Sequence, residues 1–161
     1  MVKPVLSSVL RPLGFGGPRG WTWIRAADGA YTALTIRFGA YNGLADLPNR
    51  MWAEWSHAVD GRDSAGEDWE QRLTHLLDDH AWARMVRTVN TVRRRLAPAP
   101  PRGSVVSAES WSSARAPLRA DSSERAFVDM EYLTTADAQV WGEFLAENLP
   151  AVDRAVRARR G

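Results

Sequence analysis

The feature of this sequence that most constrains its fold is a change of hydrophobic period near residue 21. Residues 3–13 carry apolar side chains at helical spacing, with Pro4 in the first turn and Gly14 beyond the last apolar position. This pattern predicts a short amphipathic helix. Residues 21–41 alternate instead, which predicts a β-hairpin whose turn is centred on Asp28 and Gly29. A helix followed by a hairpin favours an α+β fold over a parallel βαβ array.

The predicted hairpin is expected to turn one face toward a core. Leu34, Ile36 and Phe38 share one side of its second strand, and their apolar character favours burial of that side. Trp21 and Trp23 share a face of the first strand. They either pack beside the apolar face or form an exposed aromatic pair, because the hairpin register is left open by the sequence.

Three further helices are predicted before residue 97. The first runs from Asp46 to Gly61, with four apolar residues directed inward, namely Met51, Trp52, Trp55 and Val59. A capping box from Ser64 to Glu67 predicts the second, whose apolar stripe consists of Trp69, Leu73, Leu76 and Leu77. The stripe then slips, so a break is expected near Asp78, followed by a third helix with Trp82, Met85, Val86, Val89 and Leu96 on one face.

Proline residues indicate where regular structure is interrupted in the rest of the chain. Successive prolines in residues 97–103 predict an extended internal linker. Strands are predicted over residues 104–108 and within residues 125–133, and a last helix starts at Thr134 or Thr135, with an interruption near Pro150. The expected architecture is a single α+β domain, residues 1–161. In it, a small antiparallel sheet, formed by the hairpin and one or two later strands, packs against several helices.

Composition excludes several classes of protein. The chain has 161 residues and no cysteine, so it can hold no disulfide, no thiolate nucleophile and no cysteine-bound metal. No secretion signal and no apolar run of about 18 residues is present, so a cytoplasmic location with no membrane association is expected by elimination. The formal net charge is only +2, which gives weak long-range attraction for nucleic acid.

A set of residues near the amino terminus resembles the start of a known family. It comprises LRPLGF at residues 10–15, then Trp23 and Arg25, then the Asp28–Gly29 turn and ALTIRFG at residues 33–39. Residues 1–40 resemble a bacterial domain-of-unknown-function family of small cytoplasmic proteins. The resemblance implies a small cytoplasmic α+β protein and transfers no catalytic residue.

Few residues form a recognisable catalytic or metal-binding pattern. On a helix, Glu54 and His57 would share one face and could offer two ligands or an acid–base pair. No HExxH motif supplies the rest of a metal site, and the glycines of residues 14–20 lack the lysine of a phosphate-binding loop. We therefore predict no metal and no cofactor. If the protein is an enzyme, Glu54, His57 and Asp129 are the candidates for proton transfer.

Arginines account for a second functional possibility. Arg84, Arg87 and Arg94 lie on the helix predicted before the linker and form a candidate basic surface. Such a surface could bind phosphate groups of a nucleic acid. Cations near a helix carboxyl terminus also complement the helix dipole, so a purely structural role is the stronger interpretation and nucleic acid is an improbable partner.

Tryptophan is the most unusual component, with eight residues in the chain. Large aromatic side chains concentrate in cores, interfaces and apolar pockets. The candidates for contact with a partner or ligand are Trp21, Trp23, Trp52, Trp55 and Trp111. The first hypothesis is a non-enzymatic interaction protein, immunity-like or accessory, that binds a protein partner. The alternative is a small enzyme or ligand-binding protein of bacterial specialised metabolism with a tryptophan-lined apolar cleft.

Overall fold

A computed structural model of the chain describes residues 2–27, 30–40, 42, 47–59, 69–121, 125 and 128–158. Within these residues it contains four α-helices and a five-stranded antiparallel sheet, which confirms the predicted α+β class. The helices are α1 Val2–Leu10, α2 Asp79–Arg93, α3 Ala108–Arg115 and α4 Thr135–Ala158. The strands are β1 Thr22–Ala27, β2 Ala30–Phe38, β3 Asn49–Val59, β4 Trp69–Arg72 and β5 Met130–Tyr132. No described helix is long and apolar enough to cross a lipid bilayer.

The sheet is organised around its longest strand, β3. One edge of β3 pairs with β2 along nine residues of each strand, from Ala30 opposite Val59 to Phe38 opposite Met51. The other edge is shared between two short strands: β4 pairs with residues 54–57 and β5 with residues 49–51. Neither short strand pairs with residues 52 and 53, so the second edge of β3 has a gap in its ladder.

The segment predicted as the helix from Asp46 to Gly61 is a strand in its described part, so that prediction was wrong. Its residues alternate between buried and partly exposed from Met51 to His57, as they do in a strand with one face on the core. Apolar residues at 51, 52, 55 and 59 fit a helical stripe equally well. The pairing with β2 decides between the two, because it is a non-local interaction that local periodicity does not contain.

The predicted second helix of this region is also corrected. Its capping box from Ser64 to Glu67 lies outside the described residues. Trp69 lies in β4, and Leu73 and Leu76 form a short 3₁₀ helix. The sheet consequently has five strands where three or four were predicted.

The core lies between one face of the sheet and the helices. Trp23 from β1, Leu34 and Ile36 from β2 and Trp55 from β3 point toward it and are almost completely buried. Helices α1, α2 and α4 each contribute an apolar stripe; the buried residues include Leu6, Leu10, Trp82, Met85, Val89, Trp141, Leu145 and Leu149. The predicted burial of Leu34 and Ile36 is confirmed, whereas Phe38 at the strand end is 37% exposed.

Two helices begin where the sequence predicts a boundary. The side chain of Asp78 accepts a hydrogen bond from the Ala81 amide, so α2 begins at the predicted break. Thr134 and Asp137 exchange side-chain and backbone hydrogen bonds at the start of α4. The predicted interruption near Pro150 is absent, since α4 continues through this residue.

The region after α2 contains one further correction. Residues 97–103 form neither helix nor strand, as expected of a linker. The predicted strand at residues 104–108 is wrong, because Ser107 instead caps α3 by accepting a hydrogen bond from the Ser110 amide. Trp111 on α3 is buried with Leu96 and Ala114, and its indole donates to the Ala97 carbonyl, which holds the linker against the helix.

A buried ion pair joins the amino-terminal hairpin to the last helix. Arg25 on β1 lies 2.9 Å from the carboxylate of Asp153 on α4, and both side chains are nearly inaccessible. Arg157 binds the same carboxylate at 2.8 Å, and both arginines donate to the Leu13 carbonyl. Gly14, which follows Leu13, has a φ of +89°, a backbone conformation that favours glycine at this position. Three chain segments thus meet at one buried charge.

We predict that Asp153→Ala destabilises the protein by about 3 kcal/mol, because it leaves the Arg25 guanidinium buried without its counter-charge. The matched control is Glu147→Ala, which removes an exposed carboxylate paired with Arg84 on the surface of α4 and costs at most about 0.5 kcal/mol. Urea unfolding followed by circular dichroism measures both values. Equal effects of the two substitutions would show that the buried pair contributes nothing beyond a surface pair.

Candidate functional site

The sheet face turned away from the core is the candidate functional surface, and we call it the open face. Strand alternation and register place on it side chains from four strands. They are Thr22, Ile24 and Ala26 of β1, Tyr31, Ala33, Thr35 and Arg37 of β2, Trp52, Glu54 and Ser56 of β3, and Glu70 and Arg72 of β4. Every one of these residues is partly or fully exposed. An antiparallel sheet can present one face to solvent in this way.

Glu54 organises the centre of the open face. One of its carboxylate oxygens accepts a 2.6 Å hydrogen bond from Nε of Arg37, and the other accepts one of 2.6 Å from the indole nitrogen of Trp52. Arg37 lies opposite Trp52 in the β2–β3 register. The indole is therefore held in one orientation by a charged acceptor, which makes a stronger hydrogen bond than a neutral one.

Arg72 and Asp129 occupy the gap between β4 and β5. Arg72 is the last residue of β4, and Asp129 immediately precedes β5. Their side chains form a 2.9 Å ion pair where no strand pairs with Trp52 and Ala53 of β3. The Arg72 guanidinium also lies 4.9 Å from the centre of the Trp52 ring, within range of a cation–π interaction. Trp52 is thus bounded by Glu54 on one side and Arg72 on the other.

The two carboxylates of this network have opposite pKa shifts. Burial tends to raise the pKa of Glu54, but the hydrogen bonds from Arg37 and Trp52 and the charge of Arg37 together lower it below its usual value. For Asp129 burial prevails and raises the pKa, although the charges of Arg72 and Arg50 oppose the shift. Glu54 is consequently a fixed anion at neutral pH, a state that suits binding and orientation and does not suit a general acid.

The three predicted acid–base candidates do not come together. On a strand, residues three apart point to opposite faces, so His57 faces the core side while Glu54 lies on the open face. Asp129 joins the network of Glu54 only through Arg72 and Trp52. Among the described residues, no group of three histidine, aspartate or glutamate side chains is placed to hold a metal ion.

The structure divides the five tryptophans predicted to contact a partner or ligand. Trp23, Trp55 and Trp111 are at most 3% exposed and belong to the core, so they cannot contribute to an accessible surface. Trp21 is half-buried, packs edge-on against Phe38 and lies under the Lys3 ammonium. Trp52 alone among these five lies on the open face. The predicted tryptophan-lined apolar cleft is therefore not formed by these five side chains.

Sequence reasoning missed Arg37 and Arg72, which contact Glu54 and Asp129. Arg37 lies on the side of the second hairpin strand opposite Leu34, Ile36 and Phe38, and nothing in the local pattern links it to residue 54. Arg72 was placed in a helix. A cross-strand pairing of residues 37 and 54 would have been the signal, and it becomes visible only once β3 is recognised as a strand.

The predicted basic surface on α2 is partly neutralised. Arg84 forms an ion pair with Glu147 and lies over the Phe144 ring. Arg93 and Arg95, neighbours of Arg94, bind Glu131 and Asp137. Arg87 is exposed, and Arg94 donates a hydrogen bond to Thr91. Pairing of this kind lowers the positive potential that a phosphate backbone would meet.

No family model, no curated protein and no solved structure matches this chain. The resemblance of residues 1–40 to a domain-of-unknown-function family stays a prediction.

We expect Glu54→Gln to destabilise the protein by about 1–2 kcal/mol at pH 7, because it removes a charged acceptor from Trp52 and Arg37. A lowered carboxyl pKa stabilises the folded state above the unfolded pKa, near 4.5, and this contribution disappears as pH falls through the lower folded value. The difference between the two proteins should therefore shrink toward zero as the pH falls below 4.5. Urea unfolding at pH 7, 5 and 3.5 measures it. A difference that stays constant across this range would contradict the assignment.

Proposed function

We propose that the protein is a non-enzymatic binding protein, and that it recognises a protein partner through the open face of its sheet. The observation that carries this proposal is the position of Trp52 on that face, held between Glu54 and Arg72. Tryptophan and arginine are the residue types most enriched among the side chains that dominate binding energy at protein interfaces.

The fixed position of the indole supports the same proposal. Ordering a mobile side chain on binding costs free energy, and a side chain that is already fixed avoids that cost. Trp52 is oriented by its hydrogen bond to Glu54, and Arg72 is oriented by Asp129. Both residues are thus arranged for contact before a partner arrives.

The composition of the open face suits a protein more than a nucleic acid. Ile24 and Tyr31 are 38% and 45% exposed, and they place apolar and aromatic surface on β1 and β2, toward the end of the open face away from Trp52. Its charges alternate across the strands, with Arg37 and Arg72 interleaved with Glu54 and Asp129. At strand spacings of about 4.8 Å the face covers on the order of 500 Å², comparable with the centre of a standard interface.

The arrangement of titratable groups supports a non-enzymatic role. Glu54 is bound on both oxygens by Arg37 and Trp52, so neither is positioned to exchange a proton with a substrate. His57, the other acid–base candidate on β3, is 8% exposed and faces the core side of the strand.

Purification of the protein and its variants with their bound partners tests the proposal. The tagged wild-type protein is purified from its natural host, and native mass spectrometry measures the stoichiometric complexes that it retains. Trp52→Ala should lose the partner, with affinity reduced about thirtyfold, as is typical of a dominant interface side chain. Tyr31→Ser should weaken the same complex, and it should leave the fold intact because Tyr31 is 45% exposed.

The matched control is Val105→Ala, an exposed apolar residue on the segment between α2 and α3. It should retain the partner at the wild-type level. A complex that survives both Trp52→Ala and Tyr31→Ser would contradict the proposal. So would retained nucleic acid that is lost on Arg87→Gln, because that outcome would favour the basic surface of α2.

A further inference from the structure

A second site lies beside the open face and goes beyond the proposed function. It is a groove of about 540 Å³, within the size range of small-molecule sites. One wall is formed by the start of β3 and the residues before it, including Leu47, Pro48 and Arg50, and the opposite wall by α3, including Glu109 and Ala114. Asp129 also lines it.

The carboxylate of Asp129 is only partly satisfied within the protein. Its Oδ1 accepts the hydrogen bond from Arg72, while Oδ2 accepts none from the described residues. The side chain is 15% exposed and lines the groove. A carboxylate oxygen of a largely buried side chain next to an open groove is an acceptor for a donor group of a ligand, and its charge is less screened there than at a fully exposed position.

Arg50 supplies the opposite charge, and its backbone is fixed in place. Oδ1 of Asn42 accepts a 2.7 Å hydrogen bond from the Arg50 amide, and Nδ2 of Asn42 donates one of 2.8 Å to the Arg50 carbonyl. The Gly39 amide donates to the same carbonyl. The exposed side chain of Arg50 extends into the groove lining, and its charge acts on Asp129.

From these charges we infer that the groove binds a small zwitterion, an ω-amino acid in which a short apolar chain separates an ammonium group from a carboxylate. The ammonium group would donate to Asp129, with Glu109 on the facing wall adding negative charge. The carboxylate would pair with the Arg50 guanidinium, which suits planar oxyanions. The methylene groups between them would lie against Leu47, Pro48 and Ala114.

The test uses the purified full chain without any partner. Amide chemical shifts are recorded by NMR at pH 7 during titration with 5-aminopentanoate and 6-aminohexanoate, and with pentylamine and pentanoate, which each lack one of the two charges. At least one zwitterion should bind saturably with a Kd of about 1 mM or tighter, with shifts at the groove. Each singly charged compound should bind about tenfold more weakly.

Substitutions in the groove test which protein group binds each end of the ligand. Asp129→Asn and Arg50→Gln should each weaken zwitterion binding about tenfold. The matched controls are Glu70→Gln and Arg94→Gln, which remove one exposed charge of each sign elsewhere and should leave the Kd unchanged. If Asp129→Asn does not give a native spectrum, Arg50→Gln and Glu109→Gln decide, because both side chains are exposed.

The inference is overturned if no zwitterion produces saturable shifts up to about 20 mM, a concentration well above the weakest expected Kd. It is also overturned if the groove variants bind as tightly as the wild type. Trp52→Ala should retain zwitterion binding, so loss of the protein partner and loss of the small ligand are separate outcomes.

Discussion

Pairing along both edges of β3 is the constraint on which the rest of this structure depends. Because β2 pairs with nine residues along one edge of β3 and β4 and β5 share the other edge, the side chains of β3 alternate strictly between the two faces of the sheet. Met51, Ala53 and Trp55 enter the core, and Trp52 and Glu54 are left on the open face. A shift of one residue in register would exchange these two sets and expose the core tryptophan.

The gap in the second edge of β3 links fold to function. A continuous fourth strand would satisfy that edge with backbone hydrogen bonds alone. Here Arg72 and Asp129 close the gap with side chains. Arg72 also lies over the Trp52 ring, and Asp129 lines the groove. Buried ion pairs perform similar work elsewhere, since Asp153 joins α4 to β1 and Glu131 joins β5 to α2. Ion pairs between side chains therefore connect elements that are not joined by the backbone hydrogen bonds of the sheet.

The sequence predicted the elements whose signals are local. The hairpin alternation at residues 30–38, the cap at Asp78 and the cap at Thr134 each specify a boundary through neighbouring residues. The secondary structure of β3 was predicted wrongly because its apolar positions fit both a helical and a strand period. Only the pairing with the distant strand β2 decides between the two. The site was not predicted for the same reason. Glu54 and Asp129 were identified, but their partners Arg37 and Arg72 come from other strands of the sheet.

The central claim is that Trp52 belongs to a partner-binding surface. Oxidative footprinting, read by mass spectrometry on the free protein and on the complex purified from its host, tests this claim most directly. The account predicts that Trp52 and Tyr31 are labelled in the free protein and protected in the complex, while the exposed residue Val105 is labelled equally in both. Unchanged labelling of Trp52, with protection confined to the helices, would contradict it.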